Sequence, residues 1–275
     1  MMAQSALINV ILRASERAAR GLLRDFGEVE NLQVSRKGVA DFVSNADLDA
    51  EKIIVAELAK ARPGWGFIME EGGVVAPEEN DGPSWIIDPL DGTTNYIHGI
   101  PHFAISIAAI DKPLKKGGKL IAGAIFDPIR NEFFFAEAGK GAFLNDRRLR
   151  VAGRKRLDEA LFATGIPFMG RGSDEQHDHY LAELKTVMGS SSGVRRMGSA
   201  ALDLAWVAAG RVDGFWEHGL EIWDVAAGVI IVREAGGMVS DHQARSKALE
   251  SGNIVAGNSS MHSGLLKMLK NSRQK

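Results

Sequence analysis

The chain contains the stretch Trp85-Ile86-Ile87-Asp88-Pro89-Leu90-Asp91-Gly92-Thr93-Thr94-Asn95. The apolar residues at its start predict a buried strand, and Asp88 and Asp91 follow as two carboxylates three residues apart. Neighbouring carboxylates form a strong site for a hard cation. Gly92 and the two threonines predict a turn into a helix, whose free backbone N–H groups bind phosphate well. The stretch therefore predicts metal-assisted phosphoryl chemistry at the end of a strand.

The same stretch also has a purely structural interpretation. Pro, Asp, Gly and Thr are common turn residues, so a tight strand-to-helix turn capped by an aspartate explains much of it. A turn gives no reason for a second aspartate directly after the strand. This second carboxylate favours the interpretation as a metal and phosphate site.

The composition is that of an ordinary globular protein. The chain has 275 residues, of which 45% are hydrophobic and 25% charged, enough for one large domain or two modest ones. Lys and Arg number 33 against 35 Asp and Glu, and the net charge of −2 argues against direct nucleic-acid binding. The absence of cysteine excludes disulfides, thiol chemistry and cysteine metal sites.

The hydropathy pattern predicts a cytoplasmic protein without a membrane segment. The longest strongly apolar run, residues 103–110, is far too short to cross a bilayer. The N-terminus alternates apolar and charged residues at helical spacing and lacks the layout of a signal peptide.

Hydrophobic periodicity differs between the two halves of the chain. Residues 1–150 predict an α+β domain with successive antiparallel strands, and residues 151–275 predict an α/β domain packed on it, in which helices and strands alternate. The predicted helices cover 7–26, 45–60, 177–188, 199–209, 224–235 and 260–271. The predicted strands cover 41–44, 65–69, 84–88, 103–110, 120–126, 132–136, 142–144, 161–164, 194–197, 214–217, 238–240 and 253–256.

Two further acids occupy positions like those of Asp88 and Asp91. Glu70 follows a predicted strand, and Asp224 lies where a helix begins. A structural role is the alternative for Asp224, because an N-cap contributes about 1 kcal/mol to stability. Strand ends and helix starts are where open α/β sheets place ligand sites. Converging carboxylates about 4 Å apart repel one another by about 4 kcal/mol at an effective dielectric near 20. The all-oxygen set therefore predicts bound Mg²⁺ or Mn²⁺.

Three segments resemble the inositol monophosphatase family of metal-dependent phosphomonoesterases. They are DPLDGTTNY at residues 88–96, WDVAAG at 223–228 and the helix stop EAGG at 234–237. The resemblance extends from Lys37 to Asn258, and residues 198–217 are especially similar to bacterial members. It implies a layered αβαβα sandwich of the sugar-phosphatase type.

The resemblance implies a set of metal ligands. They are Glu70, Asp88, the carbonyl of Leu90, Asp91 and Asp224, which are expected to bind two or three Mg²⁺ ions per subunit, with Mn²⁺ as an alternative. Asp88 resembles the aspartate that bridges two metal ions.

The resemblance also implies the catalytic residues. Glu70 is expected to act with Asp47 and Thr93, which resemble the pair that orients the attacking water. From the residues alone, Asp47 is the acid of a capping box that starts at Ser44, and both roles are compatible because a helix N-terminus keeps a carboxylate ionised. The N–H groups of Gly92 and Thr93 match the phosphate site.

Substrate contacts follow from the same comparison. Ala200 and Glu217, together with Asp91, are expected to contact the hydroxyls of the substrate, and Lys37 resembles a mobile basic residue near the metal ions. Glu217 favours a hydroxylated ring, which suits myo-inositol 1-phosphate. Relatives in the family act on fructose bisphosphate, histidinol phosphate or phosphoadenosine phosphate, so these compounds are alternative substrates. The family further implies a homodimer and inhibition by lithium.

One departure and two rival interpretations remain. The family usually follows its paired glutamates with Ser or Thr, whereas Glu71 is followed here by Gly72 and Gly73, which puts the third metal position in doubt. A haloacid-dehalogenase-type phosphatase spaces its two acids two residues apart rather than three. A protein-binding role in transcription or ribosome assembly, known among bacterial relatives, is the alternative from another class.

Two clusters of charged residues are interpreted as ordinary surface features. His177-Asp178-His179 enters a surface helix in a polar run, and no third metal ligand is evident nearby. Arg195-Arg196 is a pair of the kind common on protein surfaces.

Overall fold

A computed structural model describes residues 5–28, 34–37, 41–167 and 172–272. Within these residues the α-helices are α1 (Ala6–Phe26), α2 (Asn45–Ala61), α3 (Thr93–Ile97), α4 (Asp174–Met188), α5 (Ala200–Ala208), α6 (Ile222–Glu234), α7 (Ala248–Ser251) and α8 (Ser259–Ser272). The strands are β1 (Val34–Lys37), β2 (Asp41–Ser44), β3 (Gly66–Met69), β4 (Gly73–Val75), β5 (Ser84–Asp91), β6 (Ala104–Ile110), β7 (Leu120–Asp127), β8 (Glu132–Glu137), β9 (Gly141–Leu144), β10 (Arg147–Arg148), β11 (Leu161–Thr164), β12 (Gly193–Arg195), β13 (Gly214–Glu217), β14 (Met238–Ser240) and β15 (Ile254–Gly257).

In the described part of the chain, the larger sheet has eight strands in the order β10-β9-β8-β7-β6-β5-β3-β4. The run from β5 to β10 is antiparallel throughout, which confirms the prediction for β6 to β9, whereas β10 is a two-residue strand that the sequence does not predict. β3 instead pairs with β5 in parallel. Every residue of β6 is buried, because helices cover both faces of the sheet and a strand covered on both sides is apolar throughout.

The second sheet has five strands among the described residues, in the order β12-β11-β13-β15-β14. β11 pairs in parallel with both β12 and β13. β15 runs antiparallel to β13 and to β14. All three parallel pairings of the two sheets therefore involve β3 or β11, and the carboxyl ends of these strands lead into the loops described below.

The elements form five layers, which confirms the predicted αβαβα sandwich. Helices α1 and α2 pack on the outer face of the eight-stranded sheet around Ile11, Ile54 and Trp85. Helices α5 and α6 lie between the two sheets in the largest core, which draws apolar residues from both halves of the chain. Helices α4 and α8 cover the outer face of the five-stranded sheet, around Phe162 and Trp216.

The first helix illustrates how the pattern of the sequence becomes packing. Ile8, Ile11, Ala18 and Leu22 recur at helical spacing and are almost fully buried against the sheet and α2. The side chain of Ser5 accepts a hydrogen bond from the backbone N–H of Ile8 and caps the helix. The predicted helix over 7–26 is confirmed.

The structure corrects several predicted boundaries. β4 and α7 are not predicted, because they have three and four residues and too few apolar positions to show a period. α4 begins three residues earlier than predicted, at Asp174, since Ser173 and Gln176 form a capping box. The division near residue 150 stays a prediction. None of the helices in the described ranges is both long and apolar enough to span a bilayer.

Candidate active site

Glu70 and Asp88 leave the eight-stranded sheet side by side. In the parallel pair of β3 and β5, Met69 is aligned with Ile87, so the next residue of each strand is an acid. The backbone N–H of Glu70 donates a hydrogen bond of 3.2 Å to the carbonyl of Ile87. Parallel pairing therefore places two carboxylates at one edge of the sheet.

An irregularity in β5 turns the second aspartate toward the same edge. β5 pairs with β6 as far as Asp88, and the register shifts before the pairing resumes at Asp91. Within the irregular segment, the backbone N–H of Leu90 donates a hydrogen bond of 2.9 Å to Oδ1 of Asp88. A bulge of this kind redirects side chains at the end of a strand.

Gly92 allows the loop to turn into α3. Its φ is 95° and its ψ 31°, in the left-handed region that favours glycine. A Cβ atom there would lie 3.0 Å from the carbonyl oxygen of His102. α3 begins at the next residue, and the Thr93 hydroxyl donates a hydrogen bond of 2.9 Å to the carbonyl of Leu90. Because a carbonyl oxygen has two lone pairs, that of Leu90 can accept this bond and still bind a metal ion.

Asp91 is hydrogen-bonded to the first turn of α5. Its Oδ2 accepts from the hydroxyl of Ser199 at 2.5 Å and from the backbone N–H of Ala201 at 2.7 Å. Ser199 also caps α5, since its hydroxyl oxygen accepts from the backbone N–H of Leu202 at 3.3 Å. The loop after β5 and the start of α5 are thus joined at this carboxylate.

Asp224 occupies the third position of α6 and is not its N-cap, which is Glu221. Its Oδ2 accepts a hydrogen bond of 2.7 Å from the backbone N–H of Glu221. A carboxylate in the first turn of a helix is stabilised by the helix dipole. The sequence interpretation of Asp224 as the cap or first residue of a helix is therefore wrong in position, because α6 begins two residues earlier, at Ile222.

Most of the predicted site residues line one solvent-open cleft of about 800 Å³, which we call the acidic cleft. They are Glu70, Asp88, Leu90, Asp91, Gly92, Thr93, Ala200, Glu217 and Asp224. These residues come from five separate segments of the chain. Their individual roles remain predictions.

The two remaining predicted residues lie elsewhere. Asp47 is 1% exposed in the first turn of α2, and its carboxylate oxygen lies within 4.8 Å of those of Glu70 and Glu71. It therefore adjoins the cleft through Glu70. Lys37 is the last residue of β1, and its side chain lies outside the described part of the structure.

The electrostatics of the acidic cleft favour bound cations. Burial raises the pKa of Asp88 well above its usual range, and the carboxylates of Glu70, Asp91, Asp224 and Asp47 raise it further. Burial, followed by the carboxylate of Asp91, likewise raises the pKa of Asp224. Burial also raises the pKa of Asp91 to about 6, with its hydrogen bonds opposing the increase. An all-oxygen set of crowded carboxylates fits Mg²⁺ or Mn²⁺, which would remove this repulsion.

The sequence does not predict two of the residues that line the cleft. Arg196, interpreted there as a surface residue, lines the cleft. Asp203 also lines it from α5, is 1% exposed, and its Oδ1 has no hydrogen-bond partner among the described residues. Burial raises the pKa of Asp203 well above its usual range, and the carboxylates of Glu217 and Asp91 add to the increase. The available signal was spacing, because Asp203 lies one helical turn after Ser199.

Glu217 lies against Gly165 in the wall of the cleft. Gly165 follows β11 and Glu217 ends the adjacent strand β13, since Thr164 is aligned with Trp216. A Cβ atom on Gly165 would lie 1.8 Å from Oε1 of Glu217. Only glycine at position 165 leaves Glu217 its present place.

The structure explains the departure at Gly72. A Cβ atom there would lie 2.9 Å from Oε1 of Glu51 and 3.0 Å from Cε of Met69. Oε2 of Glu51 accepts a hydrogen bond of 3.0 Å from the backbone N–H of Glu71. A serine or threonine at position 72 would therefore disturb the packing of Glu51 beneath this loop.

Comparisons with known proteins show which sequences and structures the chain resembles. The sequence model of the inositol monophosphatase family matches residues 3–274. Inositol-1-monophosphatase of Mesorhizobium japonicum is 56% identical over 98% of this chain and 98% of its own length. Nus factor SuhB of Pseudomonas aeruginosa is 47% identical over 94% of each chain. The crystal structure of extragenic suppressor protein suhB from Bartonella henselae has a TM-score of 0.91 and 53% identity, covering 97% of this chain and 99% of that chain.

Proposed function

Because the chain belongs to the inositol monophosphatase family, we propose that it hydrolyses a polyol phosphomonoester, with myo-inositol 1-phosphate as the substrate. The chain is a metal-dependent phosphatase by its family. The observation that supports the reaction most strongly is the meeting of four carboxylates and the Gly92 turn in one cleft. The substrate rests on the 56% identity to a relative named inositol-1-monophosphatase and on Glu217 in the same cleft.

Five ligands of this chain would bind two or three Mg²⁺ ions, with Mn²⁺ as the alternative. They are the carboxylates of Glu70, Asp88, Asp91 and Asp224 and the carbonyl of Leu90, all in the wall of the acidic cleft. Bound ions would supply charge neutralisation of the phosphate and a lower pKa for water. Asp88 would contribute to two ions, because Glu70 follows the neighbouring strand β3 and Asp91 follows three residues later in β5.

The residues of the loop would bind and orient the phosphate. The N–H groups of Gly92 and Thr93 lie at the start of α3 and line the cleft, where they would donate to phosphate oxygens. The Thr93 hydroxyl already donates to the carbonyl of Leu90, so its own oxygen is left to accept a hydrogen bond. That oxygen would accept from the attacking water and fix its orientation.

Asp47 and Glu70 would take up the proton of the attacking water. The carboxylate oxygens of Asp47, Glu70 and Glu71 lie within 4.8 Å of one another, so the three acids form one proton-accepting group beside the cleft. Asp47 lies in the first turn of α2, where the helix dipole favours a negative charge. No covalent intermediate with the protein is required.

Three cleft residues, Glu217, Ala200 and Asp91, would bind the polyol. Glu217 would accept hydrogen bonds from ring hydroxyls, and Ala200 and Asp91 would lie against the same ring.

A screen of phosphate release with Mg²⁺ would compare myo-inositol 1-phosphate, fructose bisphosphate, histidinol phosphate and phosphoadenosine phosphate. The proposal expects the highest kcat/KM for myo-inositol 1-phosphate. A clearly higher value for any of the others would overturn the substrate, and no release from any of them would overturn the function.

A cytoplasmic location, a homodimer and inhibition by lithium belong to the same proposal. Sedimentation equilibrium would measure the oligomeric state, and the phosphate-release assay with added LiCl would measure inhibition. A monomer at micromolar concentration would contradict the first expectation, and an unchanged rate would contradict the second.

A second function in transcription is favoured by one observation. The Pseudomonas relative named Nus factor SuhB shares 47% of its residues with this chain. A catalytically inactive Asp88→Asn variant would separate the two functions. We expect it to bind purified RNA polymerase as the wild type does, and no binding by either protein would contradict this role.

A further inference from the structure

Three histidines surround one buried glutamate outside the acidic cleft. His179 and Glu183 lie on α4, His218 directly follows β13, and His242 lies two residues after β14. The side chain of Glu183 is 0% exposed, whereas those of His179 and His218 are each 30% exposed. We call these four residues the His–Glu cluster. It lies at the edge of the five-stranded sheet that α4 covers.

The donor atoms of the cluster converge on the carboxylate. Nε2 of His218 lies 2.8 Å from Oε2 of Glu183, and Nε2 of His179 lies 3.0 Å from Oε1. Nδ1 of His242 lies 4.0 Å from the same Oε1. The rings of His218 and His242 are 4.0 Å apart between centroids. Three ring nitrogens and two carboxylate oxygens thus face one small volume.

The far sides of two imidazoles are fixed by acceptors. Nε2 of His242 lies 3.2 Å from the carbonyl of Ile254. A carbonyl can only accept, so this nitrogen carries a proton, which would leave Nδ1 of the ring to bind a metal ion. Nδ1 of His218 lies 3.3 Å from Oδ1 of Asn253, an acceptor that would leave Nε2 to bind a metal ion in the same way. Histidines that bind metal ions are oriented by outer hydrogen bonds of this type.

The charge of the cluster calls for a cation. The carboxylate of Glu183 is fully buried, and ring nitrogens of His218, His179 and His242 lie 2.8, 3.0 and 4.0 Å from it. A buried acid surrounded by imidazoles is stabilised by a positive charge between them. The charge is supplied either by protons on the histidines or by a metal ion.

We propose that the His–Glu cluster is a second metal site, which binds one Zn²⁺ ion through His179, Glu183 and His218, with His242 as the fourth ligand. Zn²⁺ takes imidazole nitrogen and carboxylate oxygen in tetrahedral geometry, unlike the all-oxygen set of the acidic cleft. Ligand atoms about 2.0–2.1 Å from a tetrahedral Zn²⁺ are about 3.3 Å apart. The distances of 2.8, 3.0 and 4.0 Å bracket this value.

The helical spacing supports the same assignment. His179 and Glu183 are four residues apart, so their side chains project from one face of α4. The sequence interpretation of His179 as a solvated residue without a third ligand is wrong. The missing ligands come from strands of the five-stranded sheet, which spacing along the helix does not reveal. His218 directly follows Glu217, so a bound ion would also fix the end of the strand that carries the proposed substrate contact.

Cobalt spectroscopy tests the site directly. The metal-free full-length protein is first saturated with Mg²⁺, which occupies the acidic cleft, and Co²⁺ is then titrated. Tetrahedral Co²⁺ with nitrogen ligands absorbs strongly in the visible region, whereas Co²⁺ bound by oxygen alone in octahedral geometry absorbs weakly. We expect one strongly absorbing Co²⁺ per chain, which Zn²⁺ displaces, and a higher Tm with Zn²⁺.

Variants identify the ligands. We expect His179→Gln and His218→Gln to abolish the strong absorption and the Zn²⁺-dependent increase in Tm. Asn253→Ala removes only an outer hydrogen bond and is expected to weaken Co²⁺ binding by roughly 10- to 100-fold. His177→Gln, two residues before His179 on the same helix, is the matched control and is expected to bind as the wild type. The proposal is overturned if folded wild-type protein gives no strong Co²⁺ absorption, or if the absorption survives in both His179→Gln and His218→Gln.

Discussion

The hydroxyl of Ser199 donates a hydrogen bond of 2.5 Å to Oδ2 of Asp91, across 108 residues of sequence. Asp91 ends β5 of the eight-stranded sheet, and Ser199 caps α5, which packs between the two sheets. A proposed metal ligand is therefore oriented by the packing of the two halves of the chain. The acidic cleft is complete only when both halves are folded together.

Replacing Ser199 with alanine tests this connection. Ser199→Ala removes a hydrogen bond to Asp91 and the cap of α5, and we expect the free energy of unfolding to fall by about 1–2 kcal/mol. We also expect weaker Mg²⁺ binding, since Asp91 loses a partner that orients it. Thermal unfolding and calorimetry measure the two effects.

Two further variants separate stability from metal binding. Ser199→Thr keeps the hydroxyl and is expected to restore both properties. Ser173→Ala removes the cap of α4 and is expected to lower stability alone, because α4 lies outside the cleft. Equal Mg²⁺ affinity in Ser199→Ala and Ser173→Ala would contradict the role assigned to Ser199.

Asp88→Asn should abolish turnover and yet stabilise the metal-free protein. The amide oxygen can still accept from the backbone N–H of Leu90, while a buried charge near four other acids is removed. We expect kcat/KM to fall by roughly a hundredfold or more, as for other losses of one preorganised charged group. The Tm without Mg²⁺ should rise.

The exposed Asp146, in the turn between β9 and β10, provides the control. Asp146→Asn is expected to change neither the rate nor the response to Mg²⁺. A near wild-type rate in Asp88→Asn would count against the metal-ion scheme.

The pH dependence of stability follows from the raised pKa values. The pKa of Asp91 is about 6 in the folded protein against a usual value of 3.8, so the folded state binds more protons than the unfolded state between these values. The stability of the metal-free protein therefore falls as pH rises from 3.8 through about 6, by about 3 kcal/mol for this group alone. Asp88 and Asp224 shift in the same direction.

Mg²⁺ should reverse this trend, because it binds the deprotonated carboxylates. We expect the increase in Tm produced by Mg²⁺ to be large at neutral pH and to disappear as pH falls below the raised pKa values. The difference between the curves of Tm against pH recorded with Mg²⁺ and with EDTA reports on the cleft alone, since distant groups titrate alike in both. A difference that does not change with pH would refute the assignment.

Gly165→Ala tests the proposed contact between Glu217 and the polyol. The added Cβ atom would lie 1.8 Å from Oε1 of Glu217 and would displace that side chain. We expect KM for myo-inositol 1-phosphate to rise by roughly tenfold, equivalent to about 1.4 kcal/mol, while kcat changes less. An aryl phosphate without ring hydroxyls should be hydrolysed as before.

Gly153→Ala is the matched control, because no atom lies within 4 Å of a Cβ at that position. Equal losses with the polyol and aryl substrates would show that the change disturbs catalysis in general and would remove Glu217 from the polyol site.

Local sequence predicts much of the fold because apolar runs and glycine turns dominate it. The strand into Asp88, the turn at Gly92 and the strands over 161–164, 214–217 and 238–240 lie where the pattern predicts them. The parallel pairing of β3 with β5 does not follow from either strand alone. That pairing nevertheless decides why Glu70 meets Asp88.

Residues whose role depends on tertiary contacts were missed for the same reason. Arg196 and Asp203 have ordinary sequence surroundings, and they line the cleft because the segment around Ser199 is hydrogen-bonded to Asp91. His179 acquires its partners from β13 and β14. The spacing of residues along one helix or strand predicts which side chains share a face, but not which residues that face contacts.

Calorimetric titration of the metal-free wild-type protein with Mg²⁺ at neutral pH measures whether the converging carboxylates are a metal site. We predict uptake of at least two Mg²⁺ ions per chain in the presence of inorganic phosphate, reduced in Asp88→Asn and unchanged in Asp146→Asn. The absence of Mg²⁺ uptake by the folded wild-type protein, with or without phosphate, would contradict the proposed function.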